Sequence, residues 1–198
     1  HTMAFPENAI RWVLSDAGIT LRDVTHVAVA RQPRSNLGAK ARYLGSHPVE
    51  GLNAVRRFAA RHQQTAKSIE SLPEVCGENP RKVKYKIYTI EHHLAHIASA
   101  YFLSPFEAET AAFSYDGSGD FATAMAARCE GARIEVLDKV TVPNSLGHFY
   151  TAMCQFIGFD HFGEEYKVMG LAPYGEDTYE RTMANIVWLD DSKWFQLN

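Results

Sequence analysis

Residues 91–120 constrain the fold of this chain more than any other stretch, because a helical pattern, a loop and a strand pattern follow one another within it. The helical part carries His92 and His96, and the strand part ends in DGSG at residues 116–119. Residues four apart on an α-helix project from the same face, so the two imidazoles can bind one metal ion together. The stretch therefore predicts a helix and a strand that both carry reactive side chains.

The spacing of His92 and His96 makes them candidate metal ligands, because neutral imidazole commonly binds zinc, iron, nickel and copper. A zinc-protease arrangement is not favoured, since His93 stands where that motif has a glutamate. Two ordinary core or surface histidines on a helix have the same spacing. The pattern by itself leaves both interpretations open.

Residues 116–119 are predicted to form a tight turn after the apolar strand 110–115. Gly117 and Gly119 allow the backbone to approach a ligand and to offer N–H groups to a phosphate. Asp116 could position a cation or a substrate hydroxyl. An Asp-Gly pair is also a strong hairpin signal, and the pattern alone favours a hairpin turn. The two interpretations are compatible, because phosphate loops in some folds are hairpin turns.

Length and composition indicate a globular chain of one domain or two small ones, since 46% of its 198 residues are hydrophobic and 22% are charged. Residues 1–3, HTM, are interpreted as a cloning remnant. The net charge of -3 gives no reason to expect a nucleic-acid partner. No apolar run is long enough to span a bilayer, so we expect no membrane partner. The three cysteines are few and far apart, which fits a reducing cytoplasm better than a disulfide framework: Cys76, Cys129 and Cys154.

Helical and strand patterns alternate in the first half, and this alternation indicates an α/β fold. We predict a helix from Pro6 to Gly18, a strand over 25–30 and a long helix over 48–72 that Pro73 ends. The strand is almost continuously apolar, which predicts burial on both faces. Several apolar residues of the long helix are buried candidates: Val55, Phe58, Ala59 and Ile69.

Residues 31–46 form a basic, glycine-containing stretch that we predict to be a loop. Its cations could meet a phosphate-bearing substrate, but such a stretch is more typical of a solvated surface. Both interpretations stay open for its four cations: Arg31, Arg34, Lys40 and Arg42.

The second half is predicted to contain more strands and helices around the histidine helix. A strand over 83–90 leads into that helix, and residues 110–116, 121–128 and 133–142 predict a three-stranded antiparallel meander. A helix from Leu146 to Ile157 follows, with Ser145 as N-cap and Gly158 as its end. Residues 163–175 are too irregular for a simple core element, 178–189 are predicted to be helical, and 190–198 give no clear signal.

Five blocks in this order resemble the O-carbamoyltransferases of the nodulation-factor and antibiotic-biosynthesis type (NodU/CmcH type): FPENAIRWVLSDAGI, EHHLAHIASAYFLSPFEAET, SYDGSGD, NSLGHFYTAMCQFIGF and EEYKVMGLAPYG. The resemblance runs from Phe5 to Gly175. It implies the actin/sugar-kinase/heat-shock ATPase superfold, in which two ribonuclease-H-like lobes surround a nucleotide cleft. Residues 4–108 would then be part of the first lobe, and 109–198 the start of the second.

The resemblance also implies an activity. In this family a C-terminal domain makes carbamoyl-adenylate from carbamoyl phosphate and ATP, and the N-terminal part transfers the carbamoyl group to an alcohol of a sugar or antibiotic. The implied cofactors are Fe²⁺ or another divalent metal and ATP or carbamoyl-adenylate, with Mg²⁺ as a further expectation. A homodimer is also expected. The partners would be carbamoyl phosphate, ATP and a small-molecule alcohol.

The resemblance assigns roles to individual residues. His92 and His96 match the metal-binding histidines, and Asp116 matches the aspartate of the phosphate loop. Asp116 or one of the histidines could take the proton of the acceptor alcohol, and Lys167 is a further expected catalytic residue. Arg31 would lie near the cleft mouth. The expected nucleotide- and phosphate-binding residues are Gly117, Ser118, Gly119, Gly147, Glu165 and Gly170.

The resemblance is incomplete. The family's opening strand pair, a third metal-binding aspartate and the adenylate-forming domain are not in this sequence, so we expect a fragment that is not catalytically competent alone. Two alternatives remain open: a kinase or ATPase of the same superfold that uses residues 116–119 on ATP phosphates, and a non-catalytic interaction module.

Overall fold

The structure is a computed structural model that describes residues 5–161 and 163–198, without the side chains at 57–59, 61 and 62. It is a mixed α/β chain, as predicted, and it forms two compact units. Of the described residues, the first unit contains 35–43 and 91–198, and the second contains 5–34 and 44–90. The predicted lobe boundary after residue 108 stays a prediction, and the interpretation of residues 1–3 lies outside the described residues.

The second unit holds a parallel strand pair, β1 (His26–Val29) with β2 (Lys86–Thr89). Parallel pairing across a helical connection supports the α/β prediction. Side chains in β1 alternate between exposed and half-buried, so the predicted burial on both faces is wrong. The reason is that β1 lies in a two-stranded sheet. The α-helices of this unit are α1 (Glu7–Asp16), α3 (Pro48–Glu70) and α4 (Leu72–Val75).

Two expectations for the long helix need correction. Pro73 does not end a helix but lies in the first turn of α4, where a proline needs no hydrogen-bonded N–H. Val55 is half exposed, and Ile69 is half-buried. The side chains of Phe58 and Ala59 lie outside the described residues.

The basic stretch 31–46 is not a loop throughout, because residues Leu37–Ser46 form helix α2. Its alanine, leucine, lysine and arginine residues favour a helix strongly enough to offset the two glycines. Residues 37–43 of α2 belong to the first unit.

The first unit is built on an antiparallel meander, as predicted, with the strand order β3-β4-β5. Helix α6 begins after Ser145 and ends before Gly158, also as predicted. The elements of this unit after α2 are α5 (His92–Tyr101), β3 (Thr110–Gly119), β4 (Ala122–Glu130), β5 (Arg133–Thr141), α6 (Leu146–Phe156), α7 (Glu165–Leu171), α8 (Glu180–Met183), β6 (Val187–Asp190) and β7 (Trp194–Leu197).

Strand β4 lies at the centre of the meander and packs on both faces, since successive strand residues point in opposite directions. Met125 on one face packs against Ile97 and Tyr101 of α5. Ala124 on the other face packs against Phe195 of β7. These two clusters anchor α5 and the final hairpin to one sheet.

The tight turn predicted at residues 116–119 is elsewhere. Gly119 pairs with Ala122, so the two-residue loop of the β3–β4 hairpin is Asp120-Phe121. The register shifts between Tyr115 and Gly119, which makes residues 116–118 a bulge opposite one residue of β4. Further along, the helix predicted over 178–189 is wrong, because only α8 is helical there. Residues 187–197 instead form the hairpin β6-β7.

Residues 163–175 form α7 and a short 3₁₀ turn, and α7 contributes no buried residue. All three cysteines are free thiols. Across the described part of the chain, every helix falls short of the length and apolarity that a membrane span requires.

Candidate functional site

The first turn of α5 is held by two carboxylates, and this sets the position of the candidate ligands. Glu91 is the N-cap, and its Oε2 accepts a hydrogen bond of 2.8 Å from the Leu94 N–H. Asp120 Oδ2 accepts a hydrogen bond of 3.1 Å from the His92 N–H. The first N–H groups of a helix have no partner within the helix, so these two bonds satisfy donors that would otherwise be buried unpaired.

Three donor atoms from α5 and β3 converge. The Nε2 of His92 lies 2.9 Å from Asp116 Oδ2 and 3.1 Å from His96 Nε2. The third side of this triangle, from His96 Nε2 to Asp116 Oδ2, is 3.9 Å. A hydrogen on His92 Nε2 can form a good hydrogen bond with only one of its two neighbours. A single hydrogen bond therefore does not account for three atoms lying this close together.

The triangle fits a metal ion. Two donors that each lie about 2.1 Å from a tetrahedral ion are about 3.4 Å apart, which falls within the observed range of separations. Two histidines and one carboxylate form the ligand set that is typical of non-haem iron sites with open positions. His92, His96 and Asp116 therefore have both the chemistry and the spacing of a metal centre, and metal binding itself stays a prediction.

Asp116 owes its orientation to the β-bulge. A bulge bends the strand and re-aims a side chain, and here it directs the carboxylate toward α5. The other carboxylate oxygen, Oδ1, accepts a 2.6 Å hydrogen bond from the Gly117 N–H. Burial alone would raise the pKa of Asp116, but the hydrogen bonds from His92 and Gly117 and the nearby imidazoles outweigh it and lower the pKa. The sequence predicted that Asp116 could position a cation or a substrate hydroxyl or accept a proton, and the structure brings its carboxylate beside His92 and His96.

Gly119 is required by the close approach of His92. A Cβ at Gly119 would lie 1.9 Å from Cδ2 of the His92 ring, far inside any van der Waals contact. The His92 side chain therefore occupies the space that any side chain at residue 119 would need. This structural role was not foreseen, because the sequence predicted Gly119 for phosphate binding.

The N-terminus of α6 packs against the other side of the bulge. The hydroxyl of the fully buried Ser145 donates a 2.6 Å hydrogen bond to the Gly117 carbonyl and accepts one of 3.0 Å from the His148 N–H. A Cβ at Gly147 would lie 2.5 Å from the Gly117 nitrogen, so the helix can approach this closely only with glycine there. Gly147 thus has a packing role, while its predicted contact with a nucleoside stays a prediction.

His93 differs from its two neighbours on α5 because it is fully buried. Its Nδ1 is 2.9 Å from the hydroxyl oxygen of Ser114 on β3. Burial lowers the pKa of His93, because the charged imidazolium is disfavoured there. His93 therefore holds α5 against the sheet as a neutral side chain.

Glu165 and Lys167, predicted in the last block, are bonded to residues of α6 and of their own segment. Glu165 Oε1 accepts a 2.7 Å hydrogen bond from the Thr151 hydroxyl of α6, and this bond lowers its pKa. Lys167 forms a hydrogen-bonded ion pair with Glu164, and this bond raises the pKa of the lysine. Neither makes a hydrogen bond or ion pair to the histidine cluster within the described residues. Gly170 is exposed with open space around its Cα, and the ligand-binding roles of Glu165, Lys167, Gly170 and Ser118 stay predictions.

A second group of metal-type donors, Asp160, His161 and Glu164, lies just before α7. Asp160 and His161 are highly exposed and 2.8 Å apart, and Glu164 is paired with Lys167. Exposed acidic groups of this kind commonly occur without an ion. We therefore assign no ligand to this group.

A mixed α/β fold that brings two histidines and one carboxylate together is one part of the description, and comparison with known proteins gives the family. The chain belongs to the family described as "Carbamoyltransferase N-terminus", whose model matches residues 1–198. This confirms the resemblance that the sequence blocks indicated.

Relatives of this chain are longer proteins. It is 32% identical to the uncharacterized protein sll1178 of Synechocystis sp., over 100% of this chain and 33% of that protein. It is 29% identical to the nodulation protein NolNO of Sinorhizobium fredii, over 92% of this chain and 25% of that protein. It is 39% identical to the nodulation protein NolO of Bradyrhizobium diazoefficiens, over 55% of this chain and 20% of that protein. The chain thus spans a third or less of these relatives.

Proposed function

We propose that this chain is the metal-bearing part of a carbamoyltransferase that moves a carbamoyl group to the hydroxyl of a small molecule. Family membership supports the reaction class. The observation that carries the proposal is the triangle of His92, His96 and Asp116, whose donor atoms all lie within 4.8 Å of one another.

These three residues would hold Fe²⁺ or another divalent ion. When bound, such an ion offsets the negative charge that develops on oxygen during acyl-type transfer. The chain's own contribution is to pre-position the donor atoms. Helix α5 positions both imidazoles, and the bulge of β3 positions the carboxylate.

The proton of the acceptor alcohol needs a base. With Oδ2 of Asp116 directed at the imidazoles and Oδ1 bonded to the Gly117 N–H, a ligating Asp116 has little capacity left for this task. We propose His148 for it. This side chain is exposed, and its ring lies against Gly117, the residue that follows Asp116.

We further propose that the nucleotide chemistry of the full-length protein is formation of carbamoyl-adenylate from carbamoyl phosphate and ATP, with Mg²⁺ as the nucleotide's counter-ion. The superfold of two ribonuclease-H-like lobes belongs to the same proposal. The support is the family and the order of the five sequence blocks.

The test is pyrophosphate release from ATP by the full-length protein, with and without carbamoyl phosphate. We expect release that requires carbamoyl phosphate, and we expect His96→Ala to abolish carbamoyl transfer to an added alcohol. ATP hydrolysis that is independent of carbamoyl phosphate would instead favour a kinase or ATPase, and absence of any turnover would favour an interaction module.

A further inference from the structure

The Asp120 side chain is buried next to the site and is not one of its three donors. It is only 7% exposed, and its Oδ2 receives the N–H of His92. A buried carboxylate is costly unless it is well paired, so its presence at this point of the chain requires an explanation.

The backbone of Asp120 adds a second observation. Asp120 and Phe121 have φ values of 50° and 77°, in the left-handed region that two-residue hairpin loops of this hand require. Asn-Gly is the usual solution, because a non-glycine residue such as phenylalanine is strained there. In this turn both side chains make contacts that offset the strain. Asp120 bonds α5, and Phe121 is 2% exposed and packs edge-on against Tyr43, with the ring centroids 5.6 Å apart.

The turn is also held by the residue that precedes α2. The side-chain amide of Asn36 donates a 3.0 Å hydrogen bond to the Asp120 carbonyl. Lys40 of α2 is close enough for the Asp120 charge to raise its pKa, although burial outweighs this and lowers the pKa overall. The Nζ of Lys40 also donates a 2.7 Å hydrogen bond to the Ser35 carbonyl, so this cation of the basic segment is partly engaged within the segment itself.

We infer that Asp120 is a positioning residue for the metal centre. Its carboxylate fixes the backbone of His92 while Gly119, one residue earlier, gives the His92 ring its place. Together they aim Nε2 at Asp116 and His96. This inference rests on the proposed function, because it assumes that the three donors bind a metal.

The test compares two substitutions at one position. Asp120→Gly removes the acceptor and tolerates the left-handed backbone, and Asp120→Asn keeps an acceptor oxygen in nearly the same volume. We expect Asp120→Gly to weaken Co²⁺ binding by roughly 10–100-fold, the usual effect of losing a residue that orients a ligand, and Asp120→Asn to stay within a few-fold of wild type. Asp138→Ala is the matched control, because this aspartate of β5 bonds the Trp194 indole and makes no hydrogen bond to α5 within the described residues.

A second measurement keeps the two proposals separate. In the metal-free protein, NMR of ¹⁵N-labelled imidazole should show the His92–Asp116 hydrogen bond in wild type and Asp120→Asn, and its loss in Asp120→Gly. If wild type binds no Co²⁺, the proposed function fails, and the imidazole spectra alone decide the role of Asp120. Equal spectra, or equal Co²⁺ affinity for wild type and a folded Asp120→Gly, would overturn the inference.

Discussion

Three histidines on one helix have three different environments, and these environments assign their roles. His93 is fully buried and contacts Ser114, whereas the His96 side chain is 54% exposed and that of His92 is 24% exposed. Sequence spacing alone could suggest His92 and His96 as a pair. It could not show which side of the helix would face the sheet.

His93→Ala should destabilise the protein far more than His96→Ala. Removing His93 leaves a cavity and an unpaired buried hydroxyl on Ser114, which we expect to cost about 2–4 kcal/mol of unfolding free energy. His96→Ala removes a half-exposed side chain and should change stability by less than about 0.5 kcal/mol in the absence of metal. Urea denaturation of both variants provides the comparison, and equal losses would contradict these assignments.

Gly147→Ala should be destabilising by about 1–3 kcal/mol, because its new methyl group would meet the backbone of Asp116 and Gly117 and force α6 away from the bulge. The matched control is Gly170→Ala in α7, where nothing lies within 4 Å of the new Cβ. That change should be neutral or stabilising by up to about 1 kcal/mol, since alanine favours a helix. Thermal or urea unfolding measures both. An unaffected Gly147→Ala would show that α6 is not held at this distance.

At the scale of elements, the predictions succeeded where the signal was local. The helical periodicity of α5 and α6 and the Ser145 cap are in their own sequences, and the strands of the meander are bounded by turn residues. The left-handed turn at Asp120-Phe121 could not be predicted locally, because it is bonded to Asn36 and His92, which are distant in the sequence. For the same reason the sequence predicted that Asp116 could position a cation or a substrate hydroxyl but did not group it with His92 and His96.

The final hairpin was predicted as a helix, and it is stabilised by side-chain bonds within its turn. Asp190 accepts hydrogen bonds from Ser192 and Gln196, and these lower its pKa from 3.8 to about 2. Such interactions between residues two and six positions apart have no counterpart in a helical pattern.

Asp190 should make stability depend on pH in a narrow acid window. A carboxyl with a lowered pKa contributes its full stabilisation above its ordinary pKa, and loses it as the pH falls from about 4 to about 2. Asp190→Asn should therefore be less stable than wild type at pH 6, and the difference should shrink toward pH 2. Asp191→Asn, at the next residue of the turn, is the control and should cost little stability at pH 6, because no side-chain hydrogen bond of Asp191 is seen among the described residues. Urea denaturation at several pH values would measure how the stability difference between Asp190→Asn and wild type changes. A difference that stays constant with pH would refute the role of the turn.

At the scale of the whole molecule, this chain corresponds to 33% of the length of its Synechocystis relative and 25% of NolNO. Family and fold class followed from the sequence, because five blocks in a fixed order are more specific than any one of them.

The chain alone should not transfer carbamoyl groups. With carbamoyl phosphate, ATP, Fe²⁺ and an alcohol supplied, we expect no carbamoylated product above a protein-free control, because the chain spans 33% of its Synechocystis relative and the adenylate chemistry is proposed for the full-length protein. Product analysis by mass spectrometry would show it, with the full-length protein as the positive control. Product from the chain alone would mean that its metal centre suffices.

The central claim is that His92, His96 and Asp116 bind one divalent metal ion, and anaerobic titration with Co²⁺, followed by its visible absorption, tests it most directly. We expect one ion per chain in wild type, and a loss of affinity greater than tenfold in each of His92→Ala, His96→Ala and Asp116→Asn. His161→Ala, which removes an exposed histidine near α7, should bind like wild type. Equal binding by wild type and all three site variants, or no binding by wild type, would contradict the account.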